Sequence, residues 1–199
     1  MTDPSRPDRP VPFGWGMAWF AVRSTHPQRI AGELRLQNLQ VCNWAEGMRI
    51  AMRTKLVFVS PQVCGWTFIL GDALPFPPQE ACLDLLADLS LAFDEAQYFG
   101  TEDVTEFHAW ARAVKGRLQR AYAFSGEQGI VLWDRGELTP EENALGLLFP
   151  EANILSNSPD SASVFQIAGY WSLDPTRLDE LECMPSTGLL GERRLRPSR

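Results

Sequence analysis

Three short apolar segments, at about 105–114, 117–124 and 130–135, follow one another with only "KG" (115–116) and "SGEQG" (125–129) between them. Glycine-containing turns of this length return the chain directly beside itself, so the three segments predict an antiparallel meander. A parallel, doubly wound sheet needs a helix after nearly every strand, and this part of the chain has no room for one. The apolar pair "LVFVS" (56–60) and "WTFIL" (66–70), joined through "PQVCG", predicts a further hairpin. "MAWFAVR" (17–23) is apolar at consecutive positions and predicts a central strand buried on both faces.

Helices are predicted between these strands. In 78–93, "PQEACLDLLADLSLAF", Cys82, Leu86, Leu89 and Phe93 recur at helical spacing and form one apolar stripe. "THPQRIAGEL" places Pro27 in a first turn, with Thr25 or His26 at the cap, and 43–53 reads as a second short helix. "TPEE" (139–142) is a capping box, with a helix expected to about residue 147. "VFQIAGYWSL" (164–173) fits a strand or a short helix, and "DPTRLDELE" (174–182) begins with an Asp-Pro helix start. The expectation is an α+β fold, a mostly antiparallel sheet with helices packed on its faces. Residues 1–13, with four prolines, are expected to be a flexible arm. Residues 14–190 form a single globular domain, 156–163 ("SNSPDSAS") a polar loop, and 191–199 a loose basic tail.

Charge is unevenly distributed along the 199 residues. The net charge is −7, yet residues 56–111 contain no lysine or arginine. Their acids are Asp72, Glu80, Asp84, Asp88, Asp94, Glu95, Glu102, Asp103 and Glu106. Glu80, Asp84 and Asp88 stand four apart on one helix face, where like charges oppose helix formation. "DEAQYFGTEDVTEF" then sets acids around Tyr98 and Phe99. Nucleic acid and an anionic membrane surface are repelled by such a chain, whereas a basic protein is attracted. The expected partner-binding residues are Glu80, Asp84, Asp88, Asp94, Glu95, Tyr98, Glu102, Asp103 and Glu106. Within the fold, Arg23, Arg29, Arg49 and Arg112 are available to pair with some of them.

Catalytic and cofactor signals are weak. The cysteines (Cys42, Cys64, Cys82 and Cys183) show no paired ligand spacing and predict buried free thiols; with two histidines they give no metal pattern. No GxSxG elbow is present, and the glycines of "FGWGMAW" and "SGEQG" are placed wrongly for a phosphate loop. Strand alternation sets Glu106, His108, Trp110 and Arg112 on one face, so a hydrolase or transferase using His108 with Glu106 and Asp134 is the enzymatic alternative. No cofactor or metal is expected. The seven tryptophans are spread through apolar strands, which favours core packing, with one or two left for an interaction surface. The N-terminus has no apolar run and the longest apolar stretches fall short of a membrane span, so a reducing, cytoplasmic location is expected.

The strings "WFAVR", "NWAEG", "VFVSPQVCGWTFILGDALP", "EAQYFGTEDVTEFHAWARAVKGRLQRAYAFSGEQGIVLWDRGELTPEE" and "IAGYWSLDPTRL" together resemble a family of bacterial cytoplasmic proteins. Its members are similar to the immunity proteins that accompany secreted antibacterial toxins, including type VI effectors. The resemblance spans residues 13–182 and is most specific over 95–142. It implies an immunity protein, a non-enzymatic inhibitor that binds a cognate toxin, such as a basic nuclease domain acting in the cytoplasm. It carries no catalytic residues. A scaffold or adaptor serving another assembly is the third reading of the same acids and tryptophans.

Overall fold

The computed structural model describes residues 3–147 and 159–194. Strands β1 (Met17–Val22), β2 (Leu36–Cys42), β3 (Leu56–Val59), β4 (Thr67–Leu70), β5 (Glu95–Glu102), β6 (Phe107–Val114), β7 (Arg117–Ser125), β8 (Ile130–Arg135) and β9 (Gly188–Arg193) form one sheet. Its order is β2-β9-β3-β4-β1-β5-β6-β7-β8, with every neighbouring pair antiparallel. Helices α1 (Pro27–Glu33) and α3 (Glu80–Phe93) cover one face. Helices α2 (Trp44–Ala51) and α5 (Ser161–Trp171) cover the other, with the short α4 (Pro140–Ala144) and a 3-10 helix (Pro175–Glu180) beside them. This is the expected α+β fold, arranged as a helix–sheet–helix sandwich.

β1 takes the middle position that its doubly apolar sequence predicts. Phe20 and Val22 enter the core under α1 and α3, while Trp19 and Ala21 enter the core under α2 and α5. The meander divides its side chains by size. Ala109, Ala111, Ala113, Ala121 and Ala123 face α3 and let it lie close to the strands, where its predicted stripe of Cys82, Leu86, Leu89 and Phe93 fills the space. The alternate positions send Trp110 and Tyr122 to the opposite face, and there Trp19 stacks on Phe99 with centroids 5.3 Å apart. At Gly47 in α2 a Cβ would stand 2.3 Å from the Phe58 ring, so only glycine lets this helix seat on β3.

Side-chain caps fix the N-termini of α2, α4 and α5, but not those of α1 and α3. Thr139 Oγ1 accepts from the Glu142 amide at 3.2 Å, and Glu142 Oε2 accepts from the Thr139 amide at 2.7 Å. Asn43 caps α2 by accepting from the Glu46 amide at 3.0 Å. His26 stands at the N-cap of α1 but makes no capping hydrogen bond through its side chain.

Several segments differ from expectation, each for a physical reason. Residues 3–13, expected as a flexible arm, are held against the body. Asp8 accepts from the amides of Trp44 at 2.7 Å and Ala45 at 3.0 Å, the Pro4 carbonyl accepts from the Asn43 amide at 2.7 Å, and Phe13 is buried. β2 has a pattern of mostly exposed residues, which hides an edge strand from hydropathy. Residues 191–193 belong to β9, which lies between β2 and β3, instead of to a basic tail; 195–199 lie outside the described residues. Residues 161–163, expected as polar loop, begin α5 because Asp160 caps it, accepting from the Ser163 amide at 2.8 Å; 156–158 lie outside the described residues. α4 ends at Ala144 with its C-cap at Leu145, short of the expected residue 147, and "DPTRLDE" forms a 3-10 helix that the Asp174 side chain caps. Cys42 and Cys82 are buried as predicted, but Cys64 is exposed in the β3–β4 loop. Cys183 is half-buried. Burial first, and then the neighbouring Cys64 thiol, raise the Cys183 thiol above its ordinary range.

The capping carboxylate of α4 does a second job. Glu142, fully buried, accepts from Arg120 Nε at 2.8 Å and from Trp110 Nε1 at 2.8 Å, and Arg120 Nη1 donates to Asp134 at 2.5 Å. Replacing one partner of a buried pair strands the other charge, at a cost of about 3–5 kcal/mol. Glu142→Ala is therefore expected to lower unfolding free energy by about that amount in urea titrations. A loss below about 1 kcal/mol, the scale of an N-cap alone, refutes the anchoring role. In the native protein a maleimide is expected to label Cys64 rapidly and Cys42 and Cys82 only after denaturation; labelling of Cys82 at the rate of Cys64 contradicts the packing of α3.

Candidate functional site

The acidic stretch does not form one surface. Glu80, Asp84 and Asp88 lie on the outer side of α3. There Glu80 accepts two hydrogen bonds from Arg135, at 2.8 and 2.6 Å, which hold its carboxyl below the usual range. Asp94 follows the helix with φ 66° and stays exposed, at the opposite end of β5 from Glu102.

The middle of the stretch is interior. Glu95 is only 6% exposed: it accepts from Arg112 Nε at 2.7 Å and from Gln97 Nε2 at 3.0 Å, and lies 3.7 Å from Arg23. Tyr98 and Phe99, expected as surface aromatics, are buried on opposite faces of the sheet. With its buried acid, Glu95, neutralised by Arg112 of β6 and by Arg23 just after β1, β5 is buried along its length up to the half-buried Glu102. Glu95 and Tyr98 are therefore core residues and not part of an exposed docking face.

Glu102, Asp103 and Glu106 form the third group, at the β5–β6 turn. Glu106 has φ 47°, and its carbonyl accepts from the Gly126 amide at 3.0 Å. The Glu127 amide donates to the Thr105 carbonyl at 3.1 Å, which binds this turn to the β7–β8 turn. Glu127 thereby joins the three acids at one end of the sheet, and Asp160 joins them through its neighbour Ser161, whose hydroxyl donates to Asp103. Among the described residues no lysine or arginine makes an ion pair with any of these five. Exposed apolar groups stand beside them. Val104 at the turn tip is 90% exposed and Trp15 is 61% exposed, its ring T-shaped against Phe165 with centroids 4.7 Å apart. Glu102 approaches within 3.2 Å of where a Cβ would sit on the adjacent Gly16. Glu127, Asp160 and Trp15 had no signal in the sequence as members of this group, because all three lie outside the basic-free stretch and only the fold brings them near.

Beneath this acidic tip lies a hydrogen-bonded chain. Ser161 Oγ donates to Asp103, and Thr101 Oγ1 is bonded to Ser161 Oγ and lies 3.0 Å from His108 Nδ1. Each hydroxyl has one proton, so with Ser161 donating to Asp103, Thr101 donates to Ser161 and His108 donates through Nδ1–H. Burial depresses the His108 pKa, opposed by the charges of Asp103, Asp160 and Glu106. For Asp160, burial pulls upward, but the hydroxyl and amide of Ser163 prevail and hold the carboxyl below its usual range.

The enzymatic alternative required Glu106, His108 and Asp134 to meet. Glu106 lies in the turn, outside β6, so strand alternation does not align it with His108. His108 stands opposite Phe124 in β7 while Asp134 stands opposite Tyr122 and bonds Arg120. His108 is 5% exposed. Among the described residues no group of three or more His, Cys, Asp or Glu is placed to hold a metal ion, and no helix is long and apolar enough to cross a membrane.

A histidine whose folded pKa lies below its ordinary 6.5 binds fewer protons than it does in the unfolded chain. Its contribution to stability is complete above that value and is lost as pH falls through the folded pKa. The urea midpoint is expected to fall between about pH 7.5 and 5.5, and to fall less steeply in His108→Gln. Equal slopes in the two proteins contradict this account of His108. No family model, curated protein or solved structure matches the chain.

Proposed function

We propose that the chain is an immunity protein: a non-catalytic binder that neutralises a basic antibacterial toxin, such as a nuclease domain, in the cytoplasm of the cell that makes both. The observation supporting this reading is the acidic tip, where Glu102, Asp103, Glu106, Glu127 and Asp160 lack cationic partners among the described residues and adjoin Val104 and Trp15. Carboxylates of one sign speed encounter with a cationic surface, and exposed aromatic and aliphatic groups supply the anchors that hold it. A nuclease must present a basic groove to the phosphate backbone, and an acidic tip is complementary to such a groove. Occlusion of the groove is the mechanism that follows. The outer side of α3 is a secondary electrostatic surface, since Glu80 is already engaged by Arg135.

Calorimetric titration against the product of a neighbouring toxin gene tests the proposal. Salt-sensitive binding is expected, together with protection of cells that express the toxin. The double variant Glu106→Lys, Glu127→Lys is expected to weaken binding by roughly tenfold or more while leaving the melting temperature within a few degrees. Absence of both binding and protection overturns the immunity reading; undiminished binding by the double variant moves the interface away from the tip.

A further inference from the structure

On the face of the sheet shared with α3, the floor near one end is made of residues with almost no side chain. Ala18 of β1 pairs with Gly100 of β5, and Ala18 remains exposed although it lies in the central strand. The loop that follows β4 arches over this floor without filling it. The result is a cavity of about 300 Å³ bounded by Met17, Phe20, Leu74, Phe76 and Tyr98. Phe76, at 55% exposed, and the exposed Met52 stand at its lining, so the hollow opens to solvent through apolar side chains. Asp72 is the only charged residue among those lining it.

Tyr98 gives the cavity its polar feature. The residue is 1% exposed, and its hydroxyl has no hydrogen-bond partner among the described residues. The hydroxyl lies over Gly100, 3.1 Å from where a Cβ would sit, and that position is itself 3.5 Å from the Ala18 side chain on the cavity floor. A buried hydroxyl without a partner is unfavourable, and phenylalanine would fill the same space without that penalty. Burial raises the Tyr98 pKa well above its ordinary value, so the group is a donor at neutral pH.

We propose that this cavity is a binding site for a small, uncharged, mainly aromatic molecule carrying one hydrogen-bond acceptor, with Tyr98 O–H as the donor. The volume falls at the lower end of small-molecule sites, and the lining combines apolar walls with one polar group, as such sites do. Asp72 disfavours an anionic ligand. Entry requires the hydroxyl end of the Tyr98 ring to turn toward the cavity, away from the space over Gly100 that it shares with the Phe107 ring. The cavity adjoins the acidic tip at Gly16, which lines it and also meets Glu102, but its small-probe test does not depend on toxin binding.

The test uses the full chain and prodan, an uncharged aromatic ketone whose emission moves to the blue in an apolar site. Saturable one-site binding with blue-shifted emission is expected. Ala18→Trp, a change at an exposed strand position, is expected to block the floor and weaken binding at least tenfold with the fold retained by circular dichroism. Tyr98→Phe is expected to weaken binding about three- to tenfold, the loss of one hydrogen bond, while the melting temperature holds or rises. Absence of saturable binding overturns the proposal, as does undiminished affinity in both variants. Undiminished affinity in Tyr98→Phe alone overturns the assignment of the donor.

Discussion

The buried contact between Arg120 and Glu142 ties together parts of the chain that have no other reason to meet. Arg120 comes from β7, deep in the meander, and Glu142 from the first turn of α4. Asp134 of β8 and the indole of Trp110 in β6 complete the arrangement. An arginine fully removed from water is tolerable only when its charge is compensated and its donors are directed at acceptors. That requirement fixes where α4 sits, and α4 packs against α5. Because α5 carries Ser161, the same contact positions the hydrogen-bonded chain below the acidic tip.

The sequence disclosed the elements whose local chemistry and final environment agree. The meander turns, the stripe of α3, the doubly apolar β1 and the Thr139–Glu142 box all depend on neighbours a few residues away, and each appears in the structure. The misread elements depend on distant partners. β5 resembles an acidic surface segment until Arg112 and Arg23 are brought to Glu95. β9 resembles the start of a basic tail until Leu189 and Leu190 are placed between β2 and β3. The first residues resemble a loose arm until Asp8 is found at the start of α2. In each case a charge or proline pattern that signals solvent is outweighed by one specific long-range contact.

The candidate surface was half legible. The absence of basic residues over 56–111 did mark an acidic feature, and Glu102, Asp103 and Glu106 are part of it. Linear counting had no means to divide the stretch among a helix face, an interior strand and a turn, nor to add Glu127 and Asp160 from other hairpin and helix ends. Charge segregation along a chain becomes segregation in space only where the topology preserves it, and here it does so at a turn and along one helix.

The position of β9 has a consequence for how the molecule is made. β2 and β3 are laid down early in the chain, yet the strand that joins them follows every other described element in sequence. Loop closure over such a separation is slow compared with hairpin formation, so β1 with β5 to β8 can assemble while β2 has no neighbour to bond. On the ribosome, one flank of the sheet stays open until residues 188–193 emerge. That flank therefore keeps unpaired strand edges until β9 is made, and its closure reports that residues 188–193 have been translated.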